Sequence, residues 1–193
     1  MHYLRYRVFR RRLEWPVSNF SCMEHDQFDT EDAVYIVHID EKDNVDACTR
    51  LLPTTKPNLL ADVYPHLVDG EVPKADDIWE TTRFCADYET APANITGLLV
   101  AAMLEYGIQL GLRHYVSVSD IRIEPLLRRA GWNPQRLGEP QPTGTDTAAA
   151  EIFEVSEDAL AKVRMRSKIP KQLLNDTPIY HLAPVYSDLR AAA

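Results

Sequence analysis

The feature that most constrains the fold is a long apolar segment in the middle of this 193-residue chain. Between Ile95 and Leu112, apolar side chains recur every three or four positions, which is the spacing of one face of an α-helix. The next apolar segment, Tyr115 to Ser119, has the length of a buried strand. A long helix followed directly by a buried strand predicts a layered α/β domain. The apolar helical positions are Leu98, Leu99, Ala102, Met103, Tyr106 and Leu110.

Strand and helix patterns alternate along the rest of the chain as well. We expect a mixed, twisted sheet with helices on both sides, a three-layer α/β/α sandwich formed as one domain over residues 1–193. Asn94 and Ser156 are the predicted helix N-caps, and Gly131 is predicted to end a helix. The other predicted elements are a helix at 2–13, an acidic loop at 16–32, hairpin strands at 33–39 and 45–52, a short helix at 59–68, strands at 78–87 and 147–155, a helix at 120–130 and an irregular tail from Asp176.

The charge balance of the chain argues against nucleic acid as a partner. The formal net charge is -8, with 29 acidic and 21 basic residues, and an acidic protein repels a phosphate backbone. Basic residues cluster only near the start. This cluster is either a small electropositive patch for an acidic carrier protein or a nucleotide cofactor, or a solvated helix face. Its members are Arg5, Arg7, Arg10, Arg11 and Arg12.

Cysteine usage and hydropathy predict a soluble protein of the cytoplasm. Three cysteines without C-x-x-C spacing indicate neither a disulfide framework nor a zinc ribbon, which fits a reducing compartment. Glu105 and Gln109 interrupt the most apolar stretch, so no segment is expected to cross a bilayer. The first residues lack the apolar run of a signal peptide. We therefore expect no membrane partner.

Several charged residues fall inside segments that otherwise read as ordered. Buried charges are costly unless they are paired, so a cluster of them would mark a functional site, whereas the same residues at the surface would form ordinary salt bridges. The sequence alone favours the second interpretation. No nucleophile elbow, phosphate-binding loop or metal-ligand spacing is present, and no metal site is expected. The charged residues are Arg5, Asp26, Asp29, Arg50, Glu80 and Arg83.

Three segments, in this order, resemble the motifs of the LuxI-type acyl-homoserine lactone synthases, a family also called autoinducer synthases. Arg5 and Phe9 are similar to the family's Arg-x-x-x-Phe motif, which is followed by a tryptophan, here Trp15. Residues 24–29, Glu-His-Asp-Gln-Phe-Asp, are similar to its acidic segment, and residues 80–84, Glu-Thr-Thr-Arg-Phe, to its E-x-x-R-F block. The ordered set is far more specific than any single motif.

Further positions extend the resemblance from Arg5 to about Val155. Arg50 lies where the family also keeps an arginine, and residues 129–132, Arg-Ala-Gly-Trp, are similar to the end of one of its helices. The chain departs from the family in starting almost at the first motif, so we expect either that its start codon lies too late or that part of the cofactor pocket wall is missing. It also has Glu14 where a glycine commonly precedes the tryptophan, and glutamate makes that backbone less permissive.

The resemblance implies an acetyltransferase-like (GNAT-like) fold and a two-step reaction. The amine of S-adenosylmethionine attacks an acyl thioester carried by acyl carrier protein or coenzyme A, and the methionyl carboxylate then closes the lactone and releases methylthioadenosine. S-adenosylmethionine is thus a co-substrate, and no permanently bound cofactor is expected. The product would serve quorum sensing.

The resemblance also assigns roles to residues of this chain. Glu80, Arg83 and Asp26 are the expected catalytic residues, with Glu80 as general base because an ammonium must lose a proton before it attacks a thioester. Backbone amides near Arg83 and Phe84 are expected to stabilise the oxyanion. The residues expected to bind S-adenosylmethionine or order its site are Arg5, Phe9, Trp15, Asp29, Arg50 and Phe84.

The acyl chain is expected to lie against apolar residues of the E-x-x-R-F strand, the long helix and the strand after it. Val116 occupies a position where some relatives that favour 3-oxo chains have threonine, so an unsubstituted or branched chain is expected. The same residues could equally be ordinary core. The candidates are Thr81, Ala102, Met103, Val116 and Val118.

Two alternatives remain open at the level of sequence. A coenzyme A-dependent N-acetyltransferase should have a glycine-rich pyrophosphate loop before the long helix, and residues 91–94, Ala-Pro-Ala-Asn, contain no glycine. A non-catalytic relative that only binds an acyl ligand or S-adenosylmethionine would keep the motifs without turnover.

Overall fold

A mixed sheet forms the middle layer of the computed structural model, which describes residues 1–144 and 146–174. A short ribbon of β1 (Asn19–Phe20) and β2 (Met23–Glu24) stands apart from it. In the main sheet the strand order is β3-β4-β5-β6-β9-β7, with β8 also paired to β9. Its strands are β3 (Val34–Ile39), β4 (Val45–Pro53), β5 (Ile78–Ala86), β6 (His114–Asp120), β7 (Gln135–Arg136), β8 (Gln141–Thr143) and β9 (Asp146–Glu154).

Helices cover both faces of this sheet. On one face lies the opening helix α1 (His2–Arg5), which continues as a π-helix (Tyr6–Arg12), together with the short helix α2 (Leu59–Asp62). On the other face lie α3 (Ile95–Gln109), α4 (Glu124–Ala130) and α5 (Glu157–Ser167). We call these the α1 face and the α3 face. None of the helices in the described ranges is long and apolar enough to span a membrane.

The two faces bury different clusters because successive residues of a strand point to opposite sides. On β4, Ala47 and Leu51 pack in the large core of the α3 face, whereas Cys48 packs on the α1 face under Leu4 and Phe9. On β6, Tyr115 joins the α3 face, and its neighbour Val116 joins the α2 part of the α1 face. This confirms the predicted three-layer sandwich.

Strands β5 and β6 are parallel and pair only over a short stretch. Their register runs from Ile78 opposite His114 to Glu80 opposite Val116. Beyond that point the described pairing of β5 continues only with β4, and that of β6 only with β9. The sheet therefore parts between β5 and β6, and Glu80 stands where the gap begins.

Some of the predicted elements required correction. The helix predicted at 2–13 is π-helical over its second half, and the loop predicted at 16–32 contains the β1–β2 ribbon. The helix predicted at 59–68 is broken into two parts, because α2 ends at Asp62 and a separate 3₁₀ turn (Pro65–Leu67) begins at Pro65. The helix predicted at 120–130 begins only at Glu124, and the long apolar helix α3 ends at Gln109, before Leu112. The short strands β7 and β8 were not predicted.

Two capping predictions had different outcomes. Ser156 caps α5, since its Oγ accepts a hydrogen bond of 3.1 Å from the amide of Ala159. Asn94 occupies the position before α3 but makes no side-chain cap, because its Nδ2 donates to the carbonyl of Ser167 at 2.9 Å. Gly131 ends α4 with φ of 101°, as predicted. The predicted irregular tail from Asp176 lies outside the described residues.

Candidate active site

Three arginines and three carboxylates meet on the α1 face, where helix α1, the loop after β2 and strands β4 and β5 come together. Most of them are almost completely buried. The six charges cancel, so the cluster has no formal net charge. We call this set the charge network, and its members are Arg5, Glu24, Asp26, Asp29, Arg50 and Arg83.

Arg5 connects helix α1 to the network. Its Nη1 and Nη2 donate to the two carboxylate oxygens of Asp29 at 2.6 and 2.9 Å, and its Nε donates to Glu24. Both Arg5 and Glu24 are 0% exposed. Burial alone would lower the pKa of Arg5, but the carboxylates of Asp29 and Glu24 raise it above its ordinary value. Arg5 therefore stays charged at any pH at which the protein folds.

Arg50 projects from β4 and holds the loop after β2 by a second bidentate pair. Its Nη1 and Nη2 donate to Asp26 at 2.6 and 3.0 Å, and Nη1 also donates to Asp29 at 2.8 Å. Its Nε donates to Thr82 Oγ1 at 3.0 Å. A planar guanidinium with four hydrogen bonds to fixed oxygens is a rigid scaffold for the loop.

A β-bulge on β5 brings Arg83 into the network. Cys48 pairs with Cys85 and Arg50 pairs with Thr82, so β5 contains one residue more than β4 across this interval. Arg83 is that residue, with a left-handed φ of 53°. As a result its side chain reaches the same face as Thr82, where Nη2 donates to Glu24 at 3.0 Å and lies 2.6 Å from Asp26.

Asp26 and Asp29, two of the three carboxylates of the network, are held in their ionised form. Burial alone would raise the pKa of Asp26, but the hydrogen bonds and charge of Arg50 lower it below its ordinary value. The pKa of Asp29 is also lowered, because Arg5 and Arg50 outweigh the effect of burial. The hydroxyl of Tyr35 donates to Asp29 as well. These carboxylates are thus anchors for cations and are poorly suited to accept a proton at neutral pH.

Glu80 has the opposite electrostatic character. It is 0% exposed, and burial raises its pKa to about 7 in spite of hydrogen bonds from the amides of Leu59 and Leu60 at 2.9 and 2.6 Å. Glu80 forms no ion pair with Arg83 in the described part of the chain, where Arg83 pairs with Glu24 and Asp26. A carboxyl group that titrates near neutrality at the mouth of a gap can exchange a proton with a ligand.

Aromatic residues border the network. Phe9 stacks on Trp15 with ring centroids 5.2 Å apart and planes 12° apart, and the guanidinium of Arg83 lies 5.4 Å from the Phe9 ring centroid. Trp15 Nε1 donates to Asp146 of β9 at 2.8 Å. Trp15 therefore connects the opening helix to the far side of the gap between β5 and β6. Aromatic faces of this kind are favourable surroundings for a cationic ligand.

The other residues predicted to bind substrate do not all lie on the α1 face. Phe84 packs against the core of the α3 face, and Thr81 lies on that face too, with its Oγ1 3.9 Å from the sulfur of Met103. Ala102 is buried in the same core. Val116 and Val118, in contrast, belong to the α2 cluster of the α1 face. The structure thus separates the five expected acyl-chain residues onto two sides of the sheet.

The basic cluster is divided as well. Arg5 is buried in the charge network, while the other four arginines are exposed. Arg7 pairs with Asp87 at 3.0 Å, and Arg12 donates to the carbonyl of Ala86 at 3.2 Å. The exposed part has the form of a solvated helix face, and its role as a carrier-protein patch stays a prediction.

The sequence interpretation missed several polar residues. Glu24 is a member of the network and Thr82 and Tyr35 contact it, but none of the three was assigned a role, although Thr82 is two positions from Glu80 on one strand. Another buried carboxyl, Glu151 on β9, accepts a hydrogen bond of 2.5 Å from Ser119. Burial raises the pKa of Glu151 to about 7. Nothing in the sequence pattern around Glu151 indicates its environment.

Comparison with known proteins now connects this site to a family. A family model described as autoinducer synthase matches residues 1–163. The chain belongs to the autoinducer synthase family. A probable acyl-homoserine-lactone synthase of Sinorhizobium fredii is 34% identical over 171 residues, which are 84% of this chain and 82% of the relative. An acyl-homoserine-lactone synthase of Agrobacterium fabrum is 35% identical over 158 residues, 78% of this chain and 75% of the relative.

Solved structures agree with this assignment. The structure of a CoA-dependent acyl-homoserine lactone synthase, BjaI, with SAM and isopentyl-CoA superposes with a TM-score of 0.84 at 25% identity, covering 93% of this chain and 86% of BjaI. A putative N-acetyltransferase from Lactobacillus plantarum has a TM-score of 0.57 at 18% identity over 79% of this chain and 87% of its own, which bears on the fold alone. The predicted family, acetyltransferase-like fold and acyl-homoserine-lactone synthase function are confirmed.

Proposed function

We propose that this autoinducer synthase acylates the amine of S-adenosylmethionine with an acyl thioester and closes the product to an N-acyl-homoserine lactone. The observation that carries the proposal is Glu80, a buried carboxyl group with a pKa near neutrality at the point where β5 and β6 part. Structures of relatives of the same fold with SAM and isopentyl-CoA or with MTA support these substrates for this chain.

In the first step Glu80 removes a proton from the substrate ammonium, directly or through a water. The neutral nitrogen attacks the thioester carbonyl, the tetrahedral oxyanion collapses, and the thiol of the carrier leaves. Donors for that oxyanion are proposed among the backbone amides near Arg83 and Phe84, beside the bulge. A base with a pKa of about 7 is suited to this step, since half of it is deprotonated at neutral pH.

In the second step the methionyl carboxylate displaces the sulfonium. One carboxylate oxygen attacks the γ-carbon, the carbon–sulfur bond breaks, and methylthioadenosine leaves with both electrons of that bond. Phe9 and Trp15 are proposed to face the sulfonium, whose charge an aromatic ring stabilises. The arginines of the network are already neutralised by carboxylates, so their proposed part is to hold Asp26, Asp29 and the loop after β2 in position.

For the acyl group we propose an unsubstituted or branched chain. Val116 is fully buried beside Leu60 and Leu67 and offers no hydrogen-bond donor for a 3-oxo group. A pocket of this kind discriminates chain length only modestly, by about 1–3 kcal/mol per methylene. Thr81, Ala102 and Met103 on the α3 face and Val118 on the α1 face are proposed to complete the lining, with the acyl chain passing through the gap between β5 and β6.

The experiment is an assay with the purified chain, S-adenosylmethionine and a panel of acyl-CoA and acyl-carrier-protein thioesters, followed by mass spectrometry. We expect lactone and methylthioadenosine in equal amounts with one class of donor. Binding of S-adenosylmethionine without turnover across the whole panel would favour a non-catalytic relative. Transfer of the acyl group to other amines without lactone would favour an N-acyltransferase, and a 3-oxo chain as the preferred donor would contradict the acyl assignment.

A further inference from the structure

A pair of thiols lies between the charge network and the opening helix, and the proposed reaction does not use it. Cys48 on β4 and Cys85 on β5 are direct cross-strand partners, and their sulfur atoms are 3.5 Å apart. Their exposed fractions are 1% and 4%. The third cysteine, Cys22, is exposed and lies in the turn between β1 and β2.

The cross-strand pairing of Cys48 and Cys85 is compatible with a disulfide. Residues directly opposite each other in an antiparallel ladder have Cα atoms about 4.5–5.5 Å apart, and disulfides span Cα separations of about 4.4–6.8 Å. A disulfide has a sulfur–sulfur bond of about 2.05 Å, so the two sulfurs must approach each other from 3.5 Å for the bond to form.

The surroundings give the two thiols different properties. The hydrogen bond from Cys85, followed by the positive charges of Arg5 and the N-terminal amine, lowers the pKa of Cys48 despite its burial. Burial raises the pKa of Cys85, which keeps its proton and can donate it to Cys48. Because the thiolate is the reactive form of cysteine, the lowered pKa of Cys48 favours it as the attacking sulfur, with Cys85 3.5 Å away as the resolving one.

We propose that Cys48 and Cys85 form a reversible oxidation site that hydrogen peroxide converts to a cross-strand disulfide. The sulfur of Cys48 attacks a peroxide oxygen, the oxygen–oxygen bond breaks, and a sulfenic acid and one water form. The sulfur of Cys85 then attacks the sulfenic sulfur and expels the second water. The two thiols lose two electrons in total, and hydrogen peroxide accepts them.

The position of the pair gives the bond a consequence for the site. Cys85 follows the bulge residue Arg83 by two positions, and the sulfur of Cys48 lies 3.9 Å from the Arg83 carbonyl oxygen. Leu4 and Phe9 of the opening helix pack directly on the two thiols. Oxidation would thus fix β4 to β5 beside the bulge and underneath one of the aromatic residues of the site. Peroxide would reach the pair when the opening helix detaches locally.

The test is peptide mapping by mass spectrometry of the native protein after treatment with hydrogen peroxide and alkylation of the remaining thiols in denaturant. We expect peptides with Cys48 and Cys85 to be joined, to separate with dithiothreitol, and to leave Cys22 free to alkylate. Closing a loop between residues 37 positions apart should also raise the melting temperature, by roughly 5–15 °C.

Two variants distinguish formation of the Cys48–Cys85 disulfide from oxidation of individual thiols. Cys22→Ser should bridge and gain thermal stability like the unmodified chain, whereas Cys85→Ser should show oxygen adducts at Cys48 and no gain. If Cys85→Ser does not fold, the peptide map of the unmodified chain alone is sufficient to test the proposal. Alkylation of both Cys48 and Cys85 after peroxide treatment, or oxygen adducts on them without a joined peptide, would overturn the proposal.

Discussion

Replacement of Glu80 by glutamine tests whether this residue is a base or only an anchor for α2. Glutamine keeps the size of the side chain and one carbonyl oxygen, so it can still accept from one of the amides of Leu59 and Leu60. It cannot accept a proton from the substrate at neutral pH. A positioned general base contributes about 100- to 10,000-fold to rate, and we expect kcat of Glu80→Gln to fall by about that factor.

The pH dependence gives a second, independent readout. With a pKa of about 7, Glu80 is half deprotonated at neutral pH, so kcat/KM should rise with pH and level off above 7. Because an α-amino group such as that of S-adenosylmethionine titrates at about 8 in solution, the contribution of Glu80 is identified by its loss from the profile of the variant.

Asn58→Ala is the matched control, because Asn58 Oδ1 accepts from the amide of Ala61 at 3.0 Å and caps the same helix. Its loss should cost about 0.5–2 kcal/mol in the free energy of unfolding while leaving the carboxyl of Glu80 in place. We expect its kcat to stay within a few-fold of the unmodified enzyme. The reasoning is refuted if Glu80→Gln retains more than about a tenth of kcat, or if both variants lose activity equally.

Three further substitutions test the physical account. Asp29→Asn leaves Arg5 without its bidentate partner in a buried site, so urea titration should show a loss of about 3–5 kcal/mol, and an unchanged midpoint would contradict the buried network. Glu151 has a pKa raised from 4.5 to about 7, so the folded protein binds this proton more tightly than the unfolded chain, and its stability falls as the pH rises from 4.5 to 7. Glu151→Gln should therefore be more stable than the unmodified chain by up to about 3 kcal/mol at pH 8 and equally stable at pH 4.5. Equal stability of the two proteins at both pH values would contradict the raised pKa. Glu14 has a left-handed φ of 57°, so Glu14→Gly should stabilise by up to about 1 kcal/mol in the same assay, whereas Glu14→Ala should not.

The sequence was sufficient for the layered fold because apolar segments of helix and strand length alternate along it. The predicted apolar face of α3 was only partly right, since Val100, Ala101 and Leu104 are buried as well and Leu110 is 47% exposed. Strand β4 is buried along almost its whole length, without alternation. For the six charged residues the sequence alone favoured surface salt bridges, and that expectation was wrong. Glu80 is buried beside α2, and the other five residues meet in the charge network. Glu14 was correctly recognised as a residue in a position suited to glycine, and its positive φ is the structural reason.

The parts that the sequence did not predict depend on local departures from regular geometry. A strict alternation along β5 would place Glu80, Thr82 and Phe84 on one face of the sheet. The extra residue at Arg83 reverses the alternation, so Arg83 joins the charge network and Phe84 turns to the α3 face. Whether a strand contains a bulge depends on its partner's register, which is a long-range property that periodicity does not encode.

The contacts of Glu80 were unpredictable for a related reason. Its two hydrogen-bond donors come from α2, a four-residue helix 20 positions away in the chain whose boundary was predicted wrongly. The pKa of Glu80 is set by that packing and by burial, and neither can be derived from the residue types alone.

The measurement that tests the central claim most directly is mass spectrometry of culture extracts from a bacterial host that expresses this chain, beside an empty-vector host and a host expressing Glu80→Gln. The account predicts an N-acyl-homoserine lactone in the first extract, none in the second and a trace at most in the third. Absence of any lactone from the first, with the folded chain accumulating and acyl precursors supplied, would contradict it, and so would an equal yield from the variant.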